Sequence, residues 1–414
     1  GEEGKTKFNY DTYTGFKEAF GSDGYKKSVA DWAAKELAAT GELSETTQYA
    51  QKIVEATGID RDWQDVFFDG GIITSHSLSA RGGSKSTKFS TALRYLHDEG
   101  VVLTDDYKLY TAKLKIDSQL TDKLKFGISA TPSYSKKRSL PTSVHNPIRQ
   151  SPWLPIYHSA ETLQFINRSA YPNVGIGDYF YENHLVELDL DDNGSDSRPR
   201  TSGDSNPYAQ YVEREHFEYK TKVLGSAYLN YKISDNLTAR TSLGVTIEQR
   251  KRTRWDGTKH HASGTSRAAY ELNNRFNTRL ISDNTLAYEN QIGEHEISAL
   301  AGVTIQKRRW ETSQIKGTGY SNDLLKNLQG ATTVVSEGEV NVEKNKIGYF
   351  GRIAYAYADK YLLNVSFRRD GSSVFGVDSK WGNFPAASFG WNIAKENFLS
   401  ESNVLNNLKL RVSY

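Results

Sequence analysis

From Leu237 to Ile247 the chain alternates without a break. Leu237, Ala239, Thr241, Leu243, Val245 and Ile247 fall on one face, and Thr238, Arg240, Ser242, Gly244 and Thr246 on the other. The same period of two runs through 297–305, where Ile297, Ala299, Ala301, Val303 and Ile305 oppose Ser298, Leu300, Gly302 and Thr304, and again through 346–358 and 361–367. A period of two held this long specifies strands with one apolar face. About thirteen such segments are legible: near 5–12, 73–81, 87–96, 107–116, 123–135, 221–233, 237–250, 276–290, 295–311, 346–358, 361–369, 384–394 and 407–414. Many reach about ten residues, whereas strands in globular domains average about 5–6. A tilted strand needs about 9–11 residues to cross a bilayer.

The connections carry a second pattern. Short turns at 82–86, 117–122, 234–236, 291–294 and 359–360 alternate with long polar segments at 13–72, 97–106, 137–220, 251–275, 312–345 and 370–383. The connection 395–406 falls on the short-turn side and is longer than its peers. In an up-and-down barrel this alternation places every short turn at one rim and every long loop at the other, the asymmetry of outer-membrane barrels. The predicted fold is therefore all-β: a transmembrane antiparallel up-and-down β-barrel, with one partial barrel domain over 1–414. Its main external loops are expected at about 13–72, 137–220, 251–275 and 312–345.

Composition fits. No run approaches the ~18 apolar residues of a membrane helix, yet Tyr (25), Phe (17) and Trp (7) are abundant. That combination suits a soluble β protein, and equally a membrane barrel whose two faces average out. A net charge of +2 argues against a nucleic-acid footprint, which needs clustered excess Lys and Arg. The absence of Cys excludes disulfide frameworks and Cys-type zinc sites. The chain opens at Gly1 and stops at Tyr414 inside a patterned segment, and reads as an internal piece of a longer protein. Within the first long loop, SVADWAAKELAAT places Val29, Trp32, Ala33, Leu37 and Ala38 on a helical stripe.

Motifs for chemistry are sparse. DLDDNGSD sets Asp189, Asp191 and Asn193 at the spacing that opens a calcium loop, but Arg200 stands where the bidentate Glu belongs. A solvated acidic loop is the favoured reading. His260 and His261 adjoin in a polar loop without a third ligand at useful spacing. GIGDYF at 175–180 resembles half a dinucleotide fingerprint but lies between no strand and helix. No GxSxG, P-loop or HExxH occurs, so neither an enzyme nor a cofactor is expected. Aromatics collect in the long loops: Trp153, Tyr157, Tyr171, Tyr179, Phe180 and Tyr181, with Trp255 opening the next loop and Trp310 before another. Three readings compete: an aromatic girdle at the outer interface for Trp310 and Trp255, loop core for most of the 153–181 group, and a stacking platform for sugar rings or peptide side chains. On the last, Trp153, Tyr157, Tyr179 and Trp255 are the candidate ligand contacts.

The segment RRDGSSVFGVDSKWGNFPAASFGWNIAKENF resembles the mid-barrel signature of the SusC/RagA-type TonB-dependent outer-membrane transporters. The residues that carry it are Arg368, Arg369, Asp370, Gly371, Phe375, Gly376, Trp381, Gly382, Phe384 and Pro385. Others agree in the same order. KTKFNYDTYTGF resembles the first barrel strand after the plug. DRDWQDVFF and HSLSARGGSKSTKFSTALRYLHDEGVV resemble the next hairpin, and NPYAQ at 206–210 and YLLNVSFRRDGSS follow. The resemblance implies a barrel of about 22 strands in the outer membrane of a Gram-negative bacterium, enclosing an N-terminal plug that is absent here. It also implies TonB, contacted through that missing part, a SusD-like lipoprotein as lid, and an oligosaccharide or peptide ligand. A passive porin or adhesin and a soluble carbohydrate-binding β protein are the alternatives. Because thirteen strands cannot close a barrel of even strand number, and unpaired edges are costly in lipid, the 414-residue stretch alone is expected not to run as a folded, heat-modifiable monomer on a gel.

Overall fold

Each alternating segment becomes a strand of one sheet. The computed structural model describes every residue except 1–2, 21–27, 191–193, 195–197, 199–205 and 400–404. The strands are β1 (Gly4–Lys17), β2 (Gly71–Gly83), β3 (Thr87–Glu99), β4 (Asp106–Thr121), β5 (Leu124–Arg138), β6 (Arg214–Lys232), β7 (Leu237–Asp256), β8 (Ala269–Ile292), β9 (His295–Thr318), β10 (Thr333–Tyr357), β11 (Tyr361–Ser372), β12 (Trp381–Asn392) and β13 (Lys409–Ser413). Their spatial order is their sequence order, and every neighbouring pair is antiparallel. This is an up-and-down barrel wall with no helix long and apolar enough to cross a membrane among the described residues.

The two faces separate by parity. Along β11, Tyr361, Leu363, Val365, Phe367 and Arg369 are exposed, while Leu362, Asn364, Ser366 and Arg368 between them are half-buried. The first set is the apolar outer face and the second the crowded polar interior. Aromatics bracket the apolar band. Near the long loops, Trp381 stacks on Tyr349 with centroids 6.2 Å apart, and Tyr10, His76, Tyr95, Tyr110 and Tyr134 form a ladder across five strands. Near the short turns, Tyr361 stacks on Trp391 at 6.4 Å and on Tyr357. Trp381 and Trp391 lie about ten residues apart on β12; at ~3.3 Å per residue and ~40° of tilt this is ~25 Å, the height of a barrel's lipid band.

Two loops are shorter than the sequence suggests. β8, β9 and β10 run 24, 24 and 25 residues, roughly twice what the bilayer requires. The expected loops 251–275 and 312–345 thus shrink to 257–268 and 319–332. The reason is solvation. Above the lipid band both faces are wet, so Arg250, Lys251, Arg252, Thr253 and Arg254 lose the apolar alternation while the hydrogen-bonded ladder continues.

The other correction concerns helix. The loop 18–70 contains α1 (Val29–Thr40), α2 (Glu45–Thr57) and α3 (Trp63–Phe67). α1 was legible; its Ser28 side chain accepts from the Asp31 N–H and Gly41 closes it in the left-handed region. Ser44 and Gly58 do the same for α2. DRDWQDVFF, expected in a hairpin, folds as α3 with Asp62 as its cap. The loop 139–213 adds α4 (His145–Arg149) and α5 (Pro207–Val212).

Close approach explains glycines on the interior face. A Cβ at Gly127 would collide with the Tyr228 ring, and one at Gly302 with Phe350. Each ring lies against its glycine and carries a guanidinium: Arg240 is 4.6 Å from the Tyr228 centroid and Arg368 5.5 Å from that of Phe350.

Candidate ligand-binding site

The loops 18–70 and 139–213 fold together into a cap with its own core. Val29, Tyr49, Ile53, Trp63, Phe67, Trp153, Leu154, Phe180, Leu185 and Tyr211 are buried in one cluster. Trp63 donates to the Ser151 carbonyl at 3.1 Å, and Tyr49 to that of Val186 at 3.0 Å; burial pushes the Tyr49 hydroxyl up to about 12. Asn206, from NPYAQ, is the stitch. It caps α5 by accepting from the Ala209 N–H at 3.1 Å, and donates to the carbonyls of Ile156 (2.8 Å) and Phe180 (3.0 Å). One side chain thereby fixes the helix and the two segments that carry the loop aromatics.

A buried imidazole pair lies beside it. His158 Nε2 is 2.9 Å from His184 Nδ1, and His158 Nδ1 is 3.0 Å from Thr162 Oγ1. Burial lowers both basicities: His158 falls to about 3, with the neighbouring His184 contributing, and His184 to about 4. An unfolded imidazole titrates near 6.5. The packed pair therefore contributes its full stability above about pH 6.5 and loses it as pH falls toward about 4, at about 1.4 kcal/mol per pH unit for each ring. Cap amides in 156–185 are expected to exchange hydrogen faster at pH 5 than at pH 7.5, after correction for intrinsic rates, while those of β8–β10 hold.

The candidate contacts divide. Trp153 is fully buried, edge-on to Phe180, and its indole N–H has no partner among the described residues. Trp255 is buried under Tyr320, edge-on at 4.8 Å. Neither ring has a face open to a ligand. Tyr157 and Tyr179 stack at 5.1 Å, and Tyr157 is 45% exposed. Tyr179 donates to Glu213 Oε1 at 2.8 Å; burial first, then this carboxylate, push its hydroxyl well above the usual range. Tyr208 meets Tyr157 edge-on. The open aromatic surface of the cap thus includes this tyrosine pair.

In the acidic loop, Asp189 accepts from the Gly194 N–H at 2.9 Å; Asp191 and Asn193 lie outside the described residues. His260 is buried, its Nδ1 2.6 Å from the Gly257 carbonyl.

The signature residues have mechanical explanations. Arg368 turns inward and grips Asp370 through Nε at 2.8 Å. Arg369 turns outward onto Trp381, 5.0 Å from its centroid, at the outer edge of the lipid band. Gly371 leaves room for the Trp381 ring and Gly382 for that of Phe384. Phe375 is exposed at the loop tip beside Gly376. Pro385, expected at the start of its strand, sits inside β12 opposite Phe367. Ala387, two residues on, exchanges both backbone bonds with Tyr414, so the missing N–H of Pro385 points away from β11 and costs that ladder nothing.

Sequence reasoning misplaced Trp310. It does not belong to a lipid girdle. It stands on the interior face of β9, with Arg308 at 5.0 Å and Lys344 at 5.1 Å from its ring centroid. Parity carried from Ile297–Ile305 along an unshifted ladder places it there.

No family model matches the chain. Curated relatives do. It is 27% identical over 381 residues to TonB-dependent receptor P3 of Formosa agariphila, covering 88% of this chain and 35% of that protein. It is 28% identical over 367 residues to TonB-dependent receptor P26 of the same organism, covering 86% and 33%. It is 25% identical over 371 residues to TonB-dependent receptor SusC of Bacteroides thetaiotaomicron, covering 85% and 34%. The chain thus spans about a third of the length of these relatives. Among solved structures, the RagAB peptide transporter matches with a TM-score of 0.72 at 17% identity, over 100% of this chain and 47% of that one. Over most of its length this chain is thus similar in sequence to TonB-dependent receptors, SusC among them, and over all of it similar in fold to the RagAB peptide transporter.

Proposed function

We propose that the chain forms the wall and outer rim of an outer-membrane importer energised through TonB, which takes up oligosaccharides, or peptides, together with a SusD-like surface lipoprotein. The observation that carries this reading is the inversion of the wall: apolar outside between two aromatic girdles, polar and arginine-rich inside from the short turns to the rim. Such a wall suits a solute path rather than a catalyst. The cap adds a capturing surface at Tyr157 and Tyr179. Apolar side chains on the long-loop tips, including Leu324, Leu325, Phe375 and Val377, are exposed, as a docking partner requires.

A deletion strain grown on a panel of purified polysaccharides and peptides tests the reading. Loss of growth on one substrate class, reproduced by loss of TonB, is the expected result. Uptake that persists unchanged without TonB would point to a passive pore and overturn the proposal.

A further inference from the structure

The interior face above the lipid band carries an unusual rung. Arg279 on β8 pairs directly with Arg308 on β9, and Arg308 directly with Lys344 on β10. Three cations therefore stand side by side at one level, with Cβ atoms about 4.5–5.5 Å apart, where like charges repel. Two rungs up, Lys220, Arg250 and Arg275 repeat the arrangement across β6, β7 and β8.

The second rung is partly neutralised. Arg250 lies 3.9 Å from Glu218 and Lys220 3.4 Å from Glu248. The first is not. Among the described residues, no carboxylate oxygen lies within 4 Å of the cationic nitrogens of Arg279, Arg308 or Lys344. Elsewhere on this face opposite charges meet, as at Arg252–Glu218 (2.5 Å) and Arg254–Glu271 (3.6 Å). On the outer face of the same strands Lys307 meets Glu343 at 3.2 Å. Nearer the short turns, among the described residues, Arg240 and Arg352 also lack a carboxylate, but each donates to an asparagine, Asn230 and Asn364, and neither pairs directly with a second cation.

What surrounds the first rung is specific. Trp310 lies between the two rungs, half-buried, with Arg308 and Lys344 resting against its ring. Asn277 stands opposite Trp310 on β8 and accepts from Arg308 Nε at 3.3 Å. An indole face, a side-chain amide and unpaired cations are the groups that hold a sugar ring, its hydroxyls and its acidic substituents.

We propose that Arg279, Arg308, Lys344 and Trp310 form a binding site on the interior wall for an acidic oligosaccharide, one carrying carboxylate or sulfate groups. The ligand's anions supply the charge that the rung lacks and draw Arg308 and Lys344 off the indole, freeing its face to stack on the ring. The site deepens the importer reading given above, and rests on it only for the route by which the ligand arrives.

Equilibrium binding to the purified full-length receptor tests this separately from uptake. The probes are a tetramer of galacturonate, a sulfated tetrasaccharide, a neutral tetrasaccharide and a tetra-glutamate peptide. At least one acidic sugar is expected to bind, with affinity falling as salt rises. R308Q/K344Q is expected to weaken that binding about 10-fold or more, and W310A to weaken it comparably. Removing the repulsion should also leave the thermal midpoint of R308Q/K344Q unchanged or raised at low salt, so a folding defect is distinguishable from a binding defect. Tighter binding of the neutral sugar, or equal binding of tetra-glutamate that survives W310A, would overturn the proposal. So would unaltered acidic-sugar affinity in R308Q/K344Q, or no acidic-sugar binding at all. Growth without TonB alongside intact binding would overturn the importer reading and leave this site standing.

Discussion

Trp153→Ala is expected to loosen the external cap by about 3–5 kcal/mol, the range for deleting a large aromatic from a packed core. The residue has no exposed surface, and its neighbours come from separate stretches of chain, so the space left cannot close by shifting one side chain. The orphaned indole N–H sharpens the expectation. Trp153→Phe loses no hydrogen bond and is expected to cost less than about 1.5 kcal/mol. The readout is limited proteolysis of the receptor in isolated outer membranes. Cleavage within 29–67 and 139–190 should accelerate strongly for Trp153→Ala and little for Trp153→Phe, with the heat-modifiable barrel band unchanged. Equal protection of the alanine variant and the wild-type cap would mean that Trp153 does not hold the cap core.

The second large effect lies in the lipid band. Val365 sits midway between the girdles, on the outer face of β11, and Ser366 beside it turns inward. Val365→Arg is expected to cost about 2–4 kcal/mol, because a guanidinium near the bilayer midplane is too far from either interface to snorkel freely. Ser366→Arg places the same side chain in a wet interior near Arg352, where the like charge costs under about 1 kcal/mol. Urea titration of the receptor refolded into vesicles should show a lowered midpoint for the first variant and a near-normal one for the second. Equal midpoints would mean that the two faces are assigned wrongly.

The contrast between neighbours shows how much of the molecule was legible beforehand. Alternation alone marked Val365 as lipid-facing and Ser366 as interior, since pleating makes the side-chain period two. It also located all thirteen strands, because each pairs with its sequence neighbours and no long-range choice of partner arises. Short turns against long loops separated the two rims for the same local reason. Strand ends were less legible. Above the bilayer, β7–β10 continue as ladders of backbone hydrogen bonds while their side chains face water on both sides, so no hydrophobic pattern records them.

The candidate site was hidden more deeply. Whether a loop aromatic is core or contact depends on what folds over it, and Trp153, Tyr157 and Tyr179 look alike in the sequence. Burial separated them: Asn206 draws the segments around Ile156 and Phe180 together, closing Trp153 in and leaving Tyr157 half-open. Trp310 reversed its reading because parity had to be carried from Ile305 into a segment taken for the edge of a loop. The cationic rung of Arg279, Arg308 and Lys344 joins residues from three strands. Periodicity, fixed by local backbone geometry, determined strands and faces; the register of β8 on β9 and of β9 on β10, fixed only when the sheet assembles, decided which charges meet.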